Sequence, residues 1–560
     1  MTDHIQKKAV SSPQQAHIQS VSSFLVRNEV LIPLALFLVF LGVTLPGISW
    51  GAPSVWHPDE IVVRSIKALH GEWKFSEINF DYPDLPQYAM YWLGKLVLAL
   101  GYGDGEILVS ARVLSAILAG LTIVLTYLIA RRAGGSVIVA ALSGLFLLCV
   151  SEMVHNGHFA HNDTYVMFFT TLSILMLLQY HNRGHRSWLY ASFLTIGMAA
   201  SSKYIGGSLL LAPLVYYLFS QRRNFRNHLF SIGETLFISA ALTFLGYAIG
   251  TPKALFWMSY YFKRVFSALQ WQINYGNMPD AVRGVIGQYQ VLFNGLGAIL
   301  FLLFSAAFLW ACALIVQAYR QKTLTRDSRA SQFSILLLAL LALDLPMMVS
   351  YNYQFRYFLT ILPILAVFSG FFVEWIYGRA AQSSRPGTSK LVVAGVALIA
   401  LFSFVRLASV AMLFMNDSRA PASAFLKTLP ADTSLEHTYY PPDIPAGLFE
   451  REHNYPVYFI RSVNDELPVT EKYKFNIGEA GLVDRQTTYF VTDSFTADNF
   501  NDPDTCSIMQ VECDFFRQLE TGRSSHYQLI REFSYRLPAF LPQISVEYVN
   551  PTIRIYERIP

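Results

Sequence analysis

Long apolar runs separated by short polar loops fill the first three quarters of the chain. A run of about 17–25 apolar residues is long enough to cross a bilayer as a helix. About eleven runs of that kind are centred near residues 39, 118, 143, 172, 196, 212, 239, 303, 341, 367 and 401. The fifth and sixth are separated only by SSKYIGG, residues 201–207, which leaves their boundary open. Beyond residue 415 the pattern changes to proline pairs, turn clusters and short strand-like runs such as TTYFVTDSF and TIRIYERI. That stretch predicts one small α/β domain. The expected fold is therefore mainly α, a polytopic membrane protein of about eleven transmembrane helices with a C-terminal α/β extracytoplasmic domain. Its expected parts are a tail over 1–28, a membrane module over 29–415 and the outer domain over 416–560. Polar residues precede the first run and no small-x-small cleavage pattern follows it, so it is expected to remain as a signal anchor.

Orientation follows from the Lys and Arg residues of the short loops. With the N-terminus inside, ARRAGG, HNRGHRS, QRRNFRNH, YRQKTLTRDSRA and YGRAAQSSRPGTSK face the cytoplasm and carry 2, 2, 3, 4 and 3 basic residues. The opposite loops EMVHNGHFAHND, SSKYIGG and YNYQFRY carry 0, 1 and 1. Two longer outer segments are expected, 51–105 and 251–288, and an odd number of spans puts the C-terminal domain outside. The implied location is the plasma (inner) membrane.

Composition agrees with a membrane solvent. The chain is 53% hydrophobic and 14% charged, against about 25% charged in soluble proteins, and its mean hydropathy is +0.36. The net charge of +4 comes without a basic tract, so no nucleic-acid partner is expected. The 42 Phe and 31 Tyr suit interfacial belts. Cys506 and Cys513, seven apart in the outer domain, are expected to form a disulfide. Cys149 and Cys312 lie within apolar runs and read as packing residues. No internal repeat is visible, which weighs against a secondary transporter.

Ionisable groups near a membrane are costly and often functional. Here the expected topology gathers them at one outer rim: Asp59 and Glu60 after the first run, Arg112 early in the second, Asp163 opening the fourth, Lys203 closing the fifth and Arg356 opening the tenth. Each has a plainer explanation. Pro58 followed by two acids is a common first helical turn, and Lys203 and Arg356 could snorkel toward lipid headgroups. Asp344 reads as a structural partner for a nearby cation, and Glu234 and Glu374 as interfacial. His155, His158 and His161 are spaced by three, whereas paired metal ligands on a helix usually sit four apart.

The ordered set of motifs over about residues 30–415 resembles the GT-C membrane glycosyltransferases, specifically the family 39 type that includes protein O-mannosyltransferases and the bacterial aminoarabinose transferase. The matching pieces are WHPDE, DYPDLPQYAMYW, HFAHNDTYVMFF, SSKYIGGSLLLAPL, GTPKALF and FRYFLTILPILAVFSG. The resemblance implies Asp59 as catalytic base supported by Glu60, and Asp163 as a second active-site acid. It implies Lys203 and Arg356 as holders of a donor phosphate, with Arg112, Tyr82 and His161 as further substrate-binding candidates. It also implies amphipathic helices in the first outer loop, where Ile61, Ser65, Ala68 and Leu69 share a helical face. Asp84 departs from the family pattern, standing where a second proline is common.

The implied chemistry is transfer of a sugar from a polyprenyl- or dolichyl-phosphate donor to a lipid, glycan or protein acceptor. A phosphate leaving group needs cations more than a general acid, and one carboxylate suffices as base for direct, inverting attack. No cofactor is required by this scheme; an acidic pair is compatible with a divalent metal, but nothing in the sequence demands one. Two other readings make different demands. A transporter or flippase for a lipid-linked substrate expects charged groups near the membrane midplane, and a scaffold displaying its outer domain expects no convergence of acids and cations.

Overall fold

The computed structural model describes residues 29–76, 80, 82–222, 228–274, 285–350, 354–385, 387–445, 448–450 and 478–559. The expected tail over 1–28, most of QRRNFRNH and the start of YNYQFRY lie outside the described residues. In chain order the α-helices up to residue 426 are α1 Leu31–Thr44, α2 Val62–Leu69, α3 Leu85–Ala99, α4 Asp104–Arg132, α5 Val137–Leu148, α6 Ser151–Gly157, α7 Asp163–Arg183, α8 Arg186–Ser202, α9 Leu211–Gln221, α10 Leu229–Gly250, α11 Lys253–Phe256, α12 Met258–Asn274, α13 Val285–Leu296, α14 Ala298–Arg320, α15 Arg329–Val349, α16 Leu362–Ala381, α17 Thr388–Met415 and α18 Arg419–Leu426.

Each apolar run of the sequence has a helix on it, and the open boundary at SSKYIGG is a 3-10 turn, Tyr204–Leu210, between α8 and α9. Six described helices are long and apolar enough to cross a membrane, or seven if the bent pair α5–α6 is one span. The expected count of about eleven spans exceeds that number among the described residues. Several fall short for local reasons: α1 has 14 residues, α9 has 11, and α7 opens on Asp163 and closes on His181 and Arg183. The 61° bend between α5 and α6 turns the chain sideways just before the histidine-rich loop.

The bundle centres on α4, α7, α8 and α10, and α4 alone is about 44 Å long at 1.5 Å per residue. Helices α8 and α10 meet backbone to backbone at Gly197 and Gly246. A Cβ on Gly197 would lie 2.1 Å from the Thr243 carbonyl oxygen, and one on Gly246 2.1 Å from that of Leu194. Small residues permit this approach between apolar helices, where dispersion and close packing replace the hydrophobic drive of water.

The C-terminal region carries a five-stranded mixed sheet. Its strands are β1 Ser434–His437, β2 Phe449–Glu450, β3 Tyr489–Asp493, β4 Tyr527–Phe533 and β5 Ile553–Arg558, in the order β2-β1-β3-β5-β4. Strand β1 runs parallel to β2 and β3, whereas β5 is antiparallel to β3 and β4. The strand-like runs TTYFVTDSF and TIRIYERI supply β3 and β5. Cys506 and Cys513 are joined as a disulfide.

This domain is docked on the first loop of the membrane module through polar anchors. The Trp50 indole donates to Asp417 at 2.9 Å, and the Trp56 indole donates to Asp443 at 2.9 Å. The buried guanidinium of Arg419 sits 5.1 Å and 4.5 Å from the Trp50 and Trp56 rings, a cation–π arrangement strengthened by exclusion of water.

Candidate active site

Asp59 lies in a turn, not in a helix. The expectation that Pro58 opens the helix is corrected: α2 begins at Val62. The reason is local. The Asp59 N–H donates to His57 Nδ1 at 3.1 Å, the Glu60 N–H to the His57 carbonyl at 3.3 Å, and the Ile61 N–H to the Ala160 carbonyl at 3.1 Å. These donors are satisfied outside a helix, so the chain bends before α2 starts. Helix α2 then buries Val62 and Ser65 next to Ile61, close to the expected face.

The turn presents Asp59 to Arg356, whose Nη2 donates to Asp59 Oδ2 at 2.7 Å while its Nε donates to Gln354 Oε1 at 2.7 Å. Lys203, just after α8, donates to Asp163 Oδ1 at 2.5 Å, and His161 Nδ1 lies 2.6 Å from Asp163 Oδ2. The Tyr357 ring joins the two halves. It lies 4.2 Å from Lys203 Nζ and 5.8 Å from Arg356 Cζ. Tyr82 closes the group, its ring 6.1 Å from that of His161. Burial, with the Asp59 charge adding to it, pushes the Tyr82 phenol up to about 12, so it remains a neutral donor at physiological pH. Burial disfavours the charge on Arg356, but the carboxylates of Asp163 and Asp59 outweigh it and hold that pKa up. Asp59, Asp163, Lys203, Arg356, Tyr82 and His161 therefore form one constellation at the ends of helices.

The structure separates the other two expected residues from it. Glu60 points away from Asp59 and grips Arg112 with two bonds, Nε to Oε1 at 2.8 Å and Nη2 to Oε2 at 2.7 Å. Both side chains are fully buried. Glu60 Oε1 also accepts the Ala160 N–H at 2.8 Å, and Arg112 donates to the carbonyls of Ile48 and Trp50. Every arm of this pair is engaged, and it ties the first loop to α4 and to the loop before α7. It holds the turn that carries Asp59 and has no open face toward a ligand. Exposure decides among the three acids: the Asp59 side chain is 30% accessible, Asp163 2% and Glu60 0%.

A cavity of about 950 Å³ opens beside Arg356 and is also lined by His57, His155, His161 and Arg406. His155 Nδ1 is 2.8 Å from Glu152 Oε2. The nitrogens of His158 are 2.8 Å and 3.0 Å from the Val154 and Pro46 carbonyls, and its ring stacks on Phe414 at 3.9 Å. The three histidines thus face three different partners. Among the described residues no group of three or more His, Cys, Asp or Glu is arranged to hold a metal ion.

Burial, with Arg356 among the added positive neighbours, holds His57 well below the ordinary imidazole range. Its Nδ1 must stay unprotonated to accept the Asp59 N–H. A depressed histidine contributes stability that is complete above its unfolded pKa, about 6.5, and is lost as pH falls below that value. The melting temperature of the purified protein should therefore drop between pH 7.5 and 5.5. His57→Gln, whose amide oxygen accepts the same N–H without titrating, should flatten that dependence; equal slopes in the two proteins would refute the assignment.

Sequence reasoning missed two features. Asp84 pairs with Lys253, Nζ to carboxylate 3.0 Å, with both side chains buried. Asp84 stood out as a departure from the family motif and Lys253 lies within GTPKALF, but nothing local joined positions 169 apart. The second is the C-terminal domain, which lines the cavity with Tyr440, Phe495, Asn499, Glu547 and Tyr548. The cation expected near Asp344 is absent among the described residues; its polar neighbour is the Gln288 amide, 3.2 Å away when oriented to donate.

Residues 71–268, spanning α3 to α12, match the family model described as dolichyl-phosphate-mannose-protein mannosyltransferase. An uncharacterized protein of Aquifex aeolicus (strain VF5) is 30% identical over 198 residues, 34% of this chain and 36% of that one. The chain thus matches about a third of that relative's length. The archaeal oligosaccharyltransferase AglB from Archaeoglobus fulgidus, solved with an inhibitory peptide and a dolichol-phosphate, superposes with a TM-score of 0.51 at 12% identity over 95% of this chain and 89% of its own. The chain has the GT-C fold. ArnT from Cupriavidus metallidurans bound to undecaprenyl phosphate gives a TM-score of 0.48 at 14% identity, over 94% and 97% of the two chains.

Proposed function

We propose that this protein is a membrane glycosyltransferase moving a sugar from a polyprenyl- or dolichyl-phosphate donor to an acceptor at the extracytoplasmic face. The observation that carries the reading is the accessible Asp59 carboxylate bonded to Arg356, with Lys203 Nζ and Arg356 Cζ 4.2 Å and 5.8 Å from the same Tyr357 ring. The match over 71–268 and the GT-C fold support the same reaction class.

In this scheme Arg356 and Lys203 bind the donor phosphate as charge-assisted donors. Asp59 takes the proton of the acceptor hydroxyl or amine, the acceptor atom bonds to the anomeric carbon, and the carbon–oxygen bond to phosphate breaks with its electrons remaining on the lipid phosphate. The two cations stabilise that developing charge, and direct displacement inverts the anomeric centre. The active residues sit at helix ends: Asp59 before α2, Asp163 opening α7, Lys203 after α8 and Arg356 between α15 and α16. That placement supports a site at one membrane face over the midplane site of a transporter. By the loop charges that face is extracytoplasmic, with the N-terminus in the cytoplasm. We assign Glu60 and Arg112 to holding the Asp59 turn.

The donor should be tested directly. With labelled polyprenyl-phosphate sugar and purified protein, Lys203→Ala and Arg356→Ala should each raise the donor KM by about tenfold or more, the loss of one charge-assisted bond of about 1.5–3 kcal/mol. Free polyprenyl phosphate should compete with donor for the wild type. Transfer with unchanged donor KM in both variants would remove these cations from the donor site.

A further inference from the structure

The C-terminal domain contributes side chains to the cavity from one end of its sheet. Tyr440 follows β1, Phe495 and Asn499 follow β3, and Glu547 and Tyr548 precede β5. Because β1 and β3 are parallel and β5 is antiparallel to β3, the ends of β1 and β3 and the start of β5 share one edge of the sheet. Sequence-distant residues therefore meet there. Their rings form a cluster: Tyr440 lies 5.4 Å from Tyr548 and 5.8 Å from Phe495, and Phe495 lies 6.3 Å from Tyr548. All three rings are half-buried, while Asn499 and Glu547 are exposed beside them.

Tyr548 is held in place at a backbone cost. Its φ is +60°, and Asn550 follows at +59°, a region that a bulky side chain seldom enters unless its surroundings over-determine it. The surroundings do so here. Arg419 donates to the Tyr548 carbonyl at 2.8 Å, and the Asn550 N–H donates to Asp417 at 2.6 Å, within the anchor that docks the domain. The outcome is that the Tyr548 ring packs edge-on against His57 at 4.9 Å, and His57 in turn holds the backbone of Asp59.

We propose that Tyr440, Phe495, Asn499, Glu547 and Tyr548 form the acceptor subsite, and that the acceptor it takes is a carbohydrate. Sugars present apolar C–H faces and a rim of hydroxyls. Half-exposed aromatic rings beside an amide and a carboxylate match both surfaces. Peptide capture by strand addition needs an exposed strand edge, and these residues lie in loops at strand ends. The cavity, about 950 Å³, is at the upper end of small-molecule sites, about 300–1,000 Å³, leaving room for a donor headgroup beside Arg356 and an acceptor sugar beneath Tyr548. The inference rests on the sugar transfer proposed for this site, not on which group acts as its base.

The test applies full-length, detergent-purified protein to a printed array of mono- to tetrasaccharides and of Ser-, Thr- and Asn-containing peptides. Wild type and Asp59→Asn should bind a saccharide class and no peptide. Tyr548→Ala and the double variant Tyr440→Ala/Phe495→Ala should weaken that binding at least tenfold, and Tyr548→Phe should retain most of it. In transfer assays with the saccharide so identified, the same alanine variants should raise the acceptor KM and leave the donor KM within twofold. Peptide binding in place of saccharide, or saccharide binding equal in all ring variants, overturns the subsite. If saccharide binding follows the rings while Asp59→Asn still transfers, the subsite stands and the assignment of the base falls.

Discussion

Asp59→Asn should abolish sugar transfer, lowering kcat by about 10²–10⁴, the usual worth of a positioned general base, with expression and melting temperature unchanged. The substitution preserves shape and keeps an oxygen able to accept from Arg356, so the donor phosphate site remains. What it removes is the ability to take a proton. Membranes supplied with labelled polyprenyl-phosphate sugar measure this directly, and transfer at more than a tenth of the wild-type rate would exclude Asp59 as the base. Its exposure makes the prediction specific: Asp163 is closed off by Lys203 and His161, whereas Asp59 has an open side.

Glu60, one residue away, should behave in the opposite way. Removing one partner of a buried ion pair strands the other, at a cost of about 3–5 kcal/mol. Glu60→Ala and Arg112→Ala should therefore fold poorly, with reduced yield and a melting temperature lowered by many degrees. The apolar double substitution Glu60→Leu/Arg112→Met removes both charges and should recover part of that stability. Recovery stays partial because the Ala160 N–H and the carbonyls of Ile48 and Trp50 lose their partners, and unsatisfied buried groups cost about 1–3 kcal/mol each. Transfer should return along with folding in the double variant. A well-folded Glu60→Ala protein with no activity would instead give Glu60 a part in the chemistry.

These two neighbours show where the sequence was informative. The convergence of Asp59, Asp163, Lys203 and Arg356 was legible because topology needs only run lengths and loop charges, and it put four distant positions at one rim. The opposite fates of Asp59 and Glu60 were not legible. They depend on a turn closed by His57 and Ala160, and locally the Pro-led helix start was as strong a signal as a catalytic one. The C-terminal lining was hidden for another reason. Tyr440, Phe495 and Tyr548 are unremarkable in their own segments and meet only through the register of β1, β3 and β5. The Asp84–Lys253 pair likewise needed the packing of the first loop on α11. The eleven apolar runs became helices, but run length overstated how many meet the length and composition of a full span, because short or polar helices such as α1 and α7 pass a loose apolar criterion.

The sharing of Arg356 has a kinetic consequence. Its guanidinium is bonded to the carboxylate proposed as the proton acceptor. A donor phosphate competes for the same guanidinium. Once Arg356 turns to the phosphate, the Asp59 carboxylate is released from that bond and is free to meet the acceptor. In the proposed reaction this sharing favours an ordered sequence, the lipid-linked donor binding before the acceptor.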